Sequence, residues 1–218
     1  METINQNRLN EFIKTIFPGL ELRMPLFYQW DYAIRFELGV MSLSGDDDQL
    51  YLENVYKKAL TLFHSLHEKE DQLIVAASVS DYGYGIKQPG HLHFFSKYIK
   101  ERSMLRTLTH QTLPYMYAED EEDDECATHV FTLTCRMEDL RLHPMIKAIC
   151  RHDMGMKPSI PHEIYFINRT KGTIFFIYDD RGCDVLGTSR ESLEHMYHDY
   201  NAWILDYDRK EIDETFKR

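Results

Sequence analysis

The residues best suited to chemistry crowd one turn. Asp179, Asp180, Arg181 and Asp184 surround Gly182. Three carboxylates about a glycine turn can hold a hard divalent cation, or set a general acid beside a base. The spacing lacks the calcium-loop pattern, however, and Arg181 stands where a cation would be repelled. The plainer expectation is a hydrogen-bonded turn, its Asp side chains accepting from backbone N–H groups while Arg181 neutralises them. Arg35 and Glu37 project from the same face of an earlier strand. On a solvated face they are ordinary cross-strand partners, and on a covered face a buried pair that marks a specific contact or a site. Asp208 and Arg209 join them if the C-terminal segment packs back. These eight residues are the candidate functional surface.

Other chemistry is weaker. Among 11 histidines, His64 and His67, and likewise His195 and His198, stand three apart on expected helices, while His91 and His93 flank Leu92. Such pairs need a third and fourth ligand to hold a metal, and no Cys or carboxylate completes a familiar spacing. Structural or surface histidine is the reading, and no metal or cofactor is expected. Cys126, Cys135, Cys150 and Cys183 are scattered, with no Cys-x-x-Cys. They read as reduced thiols, and acids beside Cys183 raise rather than lower its pKa. Phosphate-loop, dinucleotide, nucleophile-elbow and zinc-protease signatures are absent from the sequence.

The net charge of -11 is concentrated. Seven consecutive acids run from Glu119 to Glu125, and Asp46, Asp47 and Asp48 form a second group. Without those ten the chain carries 26 acids against 25 bases, a near-neutral body. The run reads as a solvated, self-repelling insertion at 118–126; the sharper alternative is a contact for a basic partner. Nucleic-acid binding is disfavoured, since it needs clustered Lys and Arg. There is no signal-peptide pattern at Met1–Asn10 and no apolar stretch of membrane-spanning length, so a cytoplasmic location is expected.

The elements that must position these residues follow from periodicity. Residues 5–17 read as a helix stopped by Pro18-Gly19. Tyr32 to Val40 reads as a strand, with Tyr32, Ile34, Phe36, Leu38 and Val40 on one face. A long helix over 48–68 buries Leu52, Val55, Tyr56, Ala59, Leu62, Phe63 and Leu66. A buried strand at 72–79, a helix at 94–108, a strand at 128–135 and a short helix at 142–152 come next. Residues 164–168 and 173–178 form a hairpin, followed by a strand at 183–186. Thr188, with Glu191 reaching back, caps a helix that buries Leu193, Met196, Tyr197, Tyr200 and Ile204. A charged helical tail covers 206–218. The expected fold is α+β, one domain over 1–218, with a mostly antiparallel sheet flanked by amphipathic helices. Two subdomains meeting near 119–125 are the alternative.

Three stretches carry a resemblance. They are Leu26-Phe27-Tyr28 through Ala33-Ile34-Arg35-Phe36-Glu37-Leu38-Gly39; Tyr165-Phe166-Ile167-Asn168 with Ile177-Tyr178-Asp179-Asp180-Arg181-Gly182-Cys183-Asp184; and Tyr197 to Tyr200 with Trp203-Ile204-Leu205-Asp206-Tyr207-Asp208-Arg209. In that order they resemble a bacterial family of unknown function, domain of unknown function 3885. The resemblance spans nearly the whole chain, which implies one domain, and it brings no established activity and no site residues. The seven-acid run is not part of the pattern. With 14 Tyr, 12 Phe and 2 Trp available as interface anchors, the expected function is a non-enzymatic protein-binding role, immunity- or regulator-like, toward a basic protein. The alternative is a small enzyme or ligand-binding protein built on Arg35, Glu37 and the Asp179–Asp184 turn.

Overall fold

The structure is a computed structural model that describes residues 3–39, 48–83, 94–117 and 125–217, with side chains from Leu9 onward. Its centre is one seven-stranded sheet: β1 (Ala33–Glu37), β2 (Gln72–Asp81), β3 (Thr109–Pro114), β4 (Ala127–Arg136), β5 (Glu163–Asn168), β6 (Thr173–Ile177) and β7 (Gly182–Gly187). The order is β1-β7-β6-β5-β2-β4-β3 and every pairing is antiparallel. Helices α1 (Thr3–Ile16), α2 (Asp48–Leu66), α4 (Leu142–Cys150), α5 (Arg190–Asp199) and α6 (Arg209–Phe216) flank it, with a further helix, α3, described over 94–98. The fold is mixed α+β, with the strands before and after the acidic run paired to each other in this sheet.

Apolar side chains fill both faces of the central strands, which is why β5 and β6 show no alternation. On one face Ile34, Val185, Phe175, Phe166, Val75 and Leu133 stand in cross-strand register. The apolar stripe of α2 covers this face, and Phe63 sets its edge against Phe166 and Phe175, with centroids 5.1 and 5.3 Å away. On the other face the register Arg35, Asp184, Phe176, Tyr165, Ala76, Thr132 crosses the sheet. Helix α1 and the connector after it lie over this second face, burying Phe17, Leu20, Leu26 and Phe27. The β5–β6 loop closes through Asn168, whose Oδ1 accepts from the Thr170 and Lys171 amides, and through Gly172 at φ 64°.

Several expectations are corrected. The helix expected over 94–108 is helical at 94–98, passes through a short 3-10 turn at Arg102–Thr107, and gives way to strand β3. Thr109, His110, Gln111 and Thr112 carry little apolar pattern, so pairing with β4 rather than burial defines that edge strand. The cap of α5 is Ser189, not Thr188. The Ser192 hydroxyl donates to the Ser189 carbonyl at 2.6 Å, and the Thr188 methyl packs beside Gly172. Tyr32 precedes β1 and is exposed, and Tyr200 is only half-buried. Glu119–Asp124, Asp46, Asp47, His91 and His93 lie outside the described residues.

Candidate functional site

Strand β1 is an edge strand whose second neighbour is not another full strand. Its outer side meets the chain at 204–205: Phe36 bridges Ile204, and the Leu205 amide donates to the Arg35 carbonyl at 2.9 Å. This contact brings the C-terminal segment back over β1 and sets Asp208 above Arg35. Arg35 faces Asp184 directly across the β1–β7 pair. Its Nε donates to Asp184 Oδ1 at 2.7 Å and its Nη2 to Oδ2 at 3.0 Å, while Nη1 lies 3.5 Å from Asp208 Oδ2. Three rings, Phe27, Tyr28 and Tyr178, enclose the guanidinium at 5.0–5.2 Å from their centroids. Asp184 Oδ2 also accepts from the Phe27 amide at 3.1 Å, and Asp208 Oδ1 accepts from the Tyr28 hydroxyl at 2.8 Å.

The group is sealed. The Arg35 side chain is 11% exposed and that of Asp184 1%. Burial pushes the Asp184 carboxyl up, opposed by Arg35, and burial works against the Arg35 charge but is outweighed by Asp184. The pair is therefore a closed, bidentate ion pair that ties β1, β7, the Phe27–Gln29 turn and the 205–208 turn at one point. Chemically it can hold geometry, and it has little capacity left to bind a substrate.

The other candidate residues go elsewhere. Asp179 accepts from the Arg181 amide at 2.8 Å and from its Nε at 2.7 Å, so these two close their own turn. Asp180 accepts from the Tyr51 hydroxyl of α2. Glu37 is half-buried opposite Gly182, and its carbonyl accepts from Lys58 Nζ at 3.0 Å. Arg209 binds Asp206 at 2.9 Å and the Asn201 and Ile204 carbonyls, clamping the 201–206 segment. Thus Arg35, Asp184 and Asp208 converge, and the remaining five do not join them. Two glycines make these contacts possible. A Cβ on Gly39 would lie 2.0 Å from the Tyr51 hydroxyl, and one on Gly182 would lie 1.9 Å from that of Tyr178. Gly182→Ala is expected to displace Tyr178 from Arg35 and cost about 1–3 kcal/mol in chemical denaturation; an unchanged midpoint would contradict that packing.

What the network presents to solvent is aromatic. Tyr28, held by Asp208, is 49% exposed, and Tyr207, next to Asp208, is 85% exposed. The Tyr28 hydroxyl is pushed up in pKa by burial first, then by Asp208, and also by Tyr207, which stands close enough to act on it. Tyr200 and Trp203 stack at 5.2 Å on the neighbouring turn. No sequence signal singled out Tyr28 or Tyr207, because exposure cannot be read from tyrosine content.

The structure adds a site that sequence reasoning missed. Glu163, at the start of β5, accepts from the Tyr117 and Tyr165 hydroxyls, both at 2.6 Å. Burial raises its carboxyl pKa. It lines a cavity of about 430 Å³, and its partner Tyr165 lines another of about 750 Å³ beneath α1. The apolar pattern starts the strand at 164, one residue after Glu163, so periodicity gave no signal for it.

Cysteine goes largely inside, whereas His67 is the one buried histidine among the described residues. His67 is buried and stacked on Phe63 at 4.0 Å, and His64 faces His143 at 5.8 Å. Among the described residues no three His, Cys, Asp or Glu side chains converge as a metal would require. None of the four cysteines forms a disulfide; burial pushes Cys135 up to about 12 and raises Cys150 and Cys183 as well, which leaves these three unreactive. No described helix is long and apolar enough to cross a membrane.

Fold and site together define an α+β protein built on one antiparallel sheet, with a buried ion-pair clamp at its edge. The family model for the domain of unknown function DUF3885 matches residues 9–208, and the chain belongs to that family. It is similar to the protein of Bacillus subtilis (strain 168) described as "Uncharacterized protein YnaE": 30% identical over 207 residues, which cover 90% of this chain and 96% of that protein. No solved structure matches.

Proposed function

We propose that this chain is a non-enzymatic, cytoplasmic protein-binding protein, immunity- or regulator-like, whose contact face lies over the Arg35 network. One observation carries the reading: the network is sealed, yet Asp208 holds the half-exposed Tyr28 at the surface, and Tyr207, the residue before Asp208, is exposed there as well. Aromatic side chains held in place before binding lose little freedom on contact and dominate interface energetics. The acidic groups at Glu119–Glu125 and Asp46–Asp48 support a basic partner, with association that weakens as salt rises. The alternative, catalysis or ligand binding at Arg35, Glu37 and the Asp179–Asp184 turn, has less support, because Arg35, Asp179, Asp180, Arg181 and Asp184 are engaged with one another or with separate partners and Glu37 does not join them.

Affinity capture from native cytosol at about 50 mM and about 500 mM salt tests this. A single stoichiometric protein, retained at low salt and depleted at high salt, is the expected result. A bait that retains nothing, or a partner indifferent to salt, argues against it.

A further inference from the structure

The second face of the sheet carries two carboxylates that the fold treats differently, Asp184 fully buried and Glu163 half-buried. Asp184 has its own cation, Arg35, boxed by aromatic rings. Glu163 has none. Burial is the main influence on its carboxyl, the two tyrosine hydroxyls are the others, and no Lys or Arg among the described residues forms an ion pair with it. Even a half-buried carboxylate is disfavoured without a counter-charge, and two hydroxyl bonds occupy only about half of its four acceptor positions.

Glu163 also opens onto space. The 430 Å³ cavity lies where the end of β2, the start of β5 and the end of β6 meet the 149–162 segment. That volume falls in the range of small-ligand sites. Its walls include the rings of Tyr82, Phe176 and Tyr178, together with His152, Asp153 and Asp179. No Lys or Arg lines it among the described residues. Asp179 is already committed to Arg181, which leaves Glu163 and Asp153 as carboxylates for a ligand, and Glu163 is the one set between the aromatic walls by two tyrosine hydroxyls. An anion would be repelled here, and a neutral ligand would leave Glu163 uncompensated. A metal finds no third converging ligand among the described residues. Tyr178 lines this cavity and also packs on the Arg35 guanidinium at 5.2 Å. The same elements therefore already hold one organic cation between a carboxylate and aromatic rings.

We propose that the cavity beside Glu163 binds a small organic cation, a primary ammonium or guanidinium, with Glu163 as its counter-ion and the Tyr82, Phe176 and Tyr178 rings as its walls. The site is separate from the Tyr28–Tyr207 surface and stands without it.

Calorimetric titration of the full chain with butylammonium and butylguanidinium tests the proposal, with butanol and butyrate as neutral and anionic controls. Saturable one-to-one binding of at least one cation is expected, with both controls at least about tenfold weaker. Glu163→Gln keeps an acceptor for both tyrosines and should weaken that cation at least about tenfold. Should that variant fail to fold, amide shifts in the wild type on adding butylguanidinium decide instead, and they are expected at Ser80, Tyr82, Glu163 and Tyr178. No saturable cation binding, equal binding of cation and neutral control, an unaffected Glu163→Gln, or shifts confined to other regions would each overturn it.

Discussion

An Asp184→Ala variant is expected to lose about 3–5 kcal/mol of folding stability, among the largest effects of any single substitution in this chain. The cost comes less from the lost attraction than from what remains. Arg35 would keep its charge at 11% side-chain exposure, surrounded by three rings, with only Asp208 at 3.5 Å to answer it. The Phe27 amide would also lose its acceptor. Asp184→Asn should cost less, since it still accepts from Arg35 and Phe27. Replacing all three charged groups, Arg35→Met with Asp184→Leu and Asp208→Asn, should recover much of the loss, because no buried charge is then left without a counter-charge and Asn still accepts from Tyr28. Urea denaturation of the three variants checks this. A loss for Asp184→Ala within about 1 kcal/mol, the scale of a surface pair, would mean that the clamp is solvated.

The second large effect is acid lability through His67. Its Nδ1–H donates to the Phe63 carbonyl at 2.8 Å, its ring stacks on Phe63, and its Nε2 is buried without a hydrogen-bond partner. Burial pushes its pKa down to about 4. The unfolded chain takes up the proton near pH 6.5 while the folded chain refuses it until near pH 4. Stability is therefore complete above about pH 6.5 and falls between there and about pH 4, by on the order of 3 kcal/mol. His64 and His110, also lowered by burial, act in the same direction. Glu163 and Asp184, raised by burial, act in the opposite direction at the acid end. The difference between wild type and His67→Leu isolates His67. The variant should show a shallower fall in stability between pH 6.5 and 4.5, and an identical slope would contradict the assignment.

Periodicity carried most of the fold. The α2 stripe is buried at every position expected, and β1, β2, β4 and the β5–β6 hairpin lie where their apolar runs place them. The sequence pattern failed where pairing rather than burial decides structure. Strand β3 is a polar edge held by β4, and the α5 cap shifted by one residue because two serines satisfied it. The site was half legible. Arg35, Asp184 and Asp208 were all among the candidates, but their meeting depends on β1 pairing with β7, 149 residues away, and on Ile204 docking against Phe36. Neither is a local property. The Asp179–Arg181 turn, by contrast, is local, and the plainer expectation described its geometry. Glu163 escaped because its importance lies in what does not surround it.

On the proposed reading, the buried clamp presents an aromatic contact face. Tyr207 separates function from stability, because at 85% exposure its loss should leave the fold intact. Retention of the captured partner by Tyr207→Ala, measured beside the thermal midpoint of the same protein, is the most direct test. A midpoint within about 2 °C of wild type with retention reduced at least about tenfold is the predicted result. Full retention by a Tyr207→Ala chain of unchanged midpoint would place the contact elsewhere on the molecule and contradict the account.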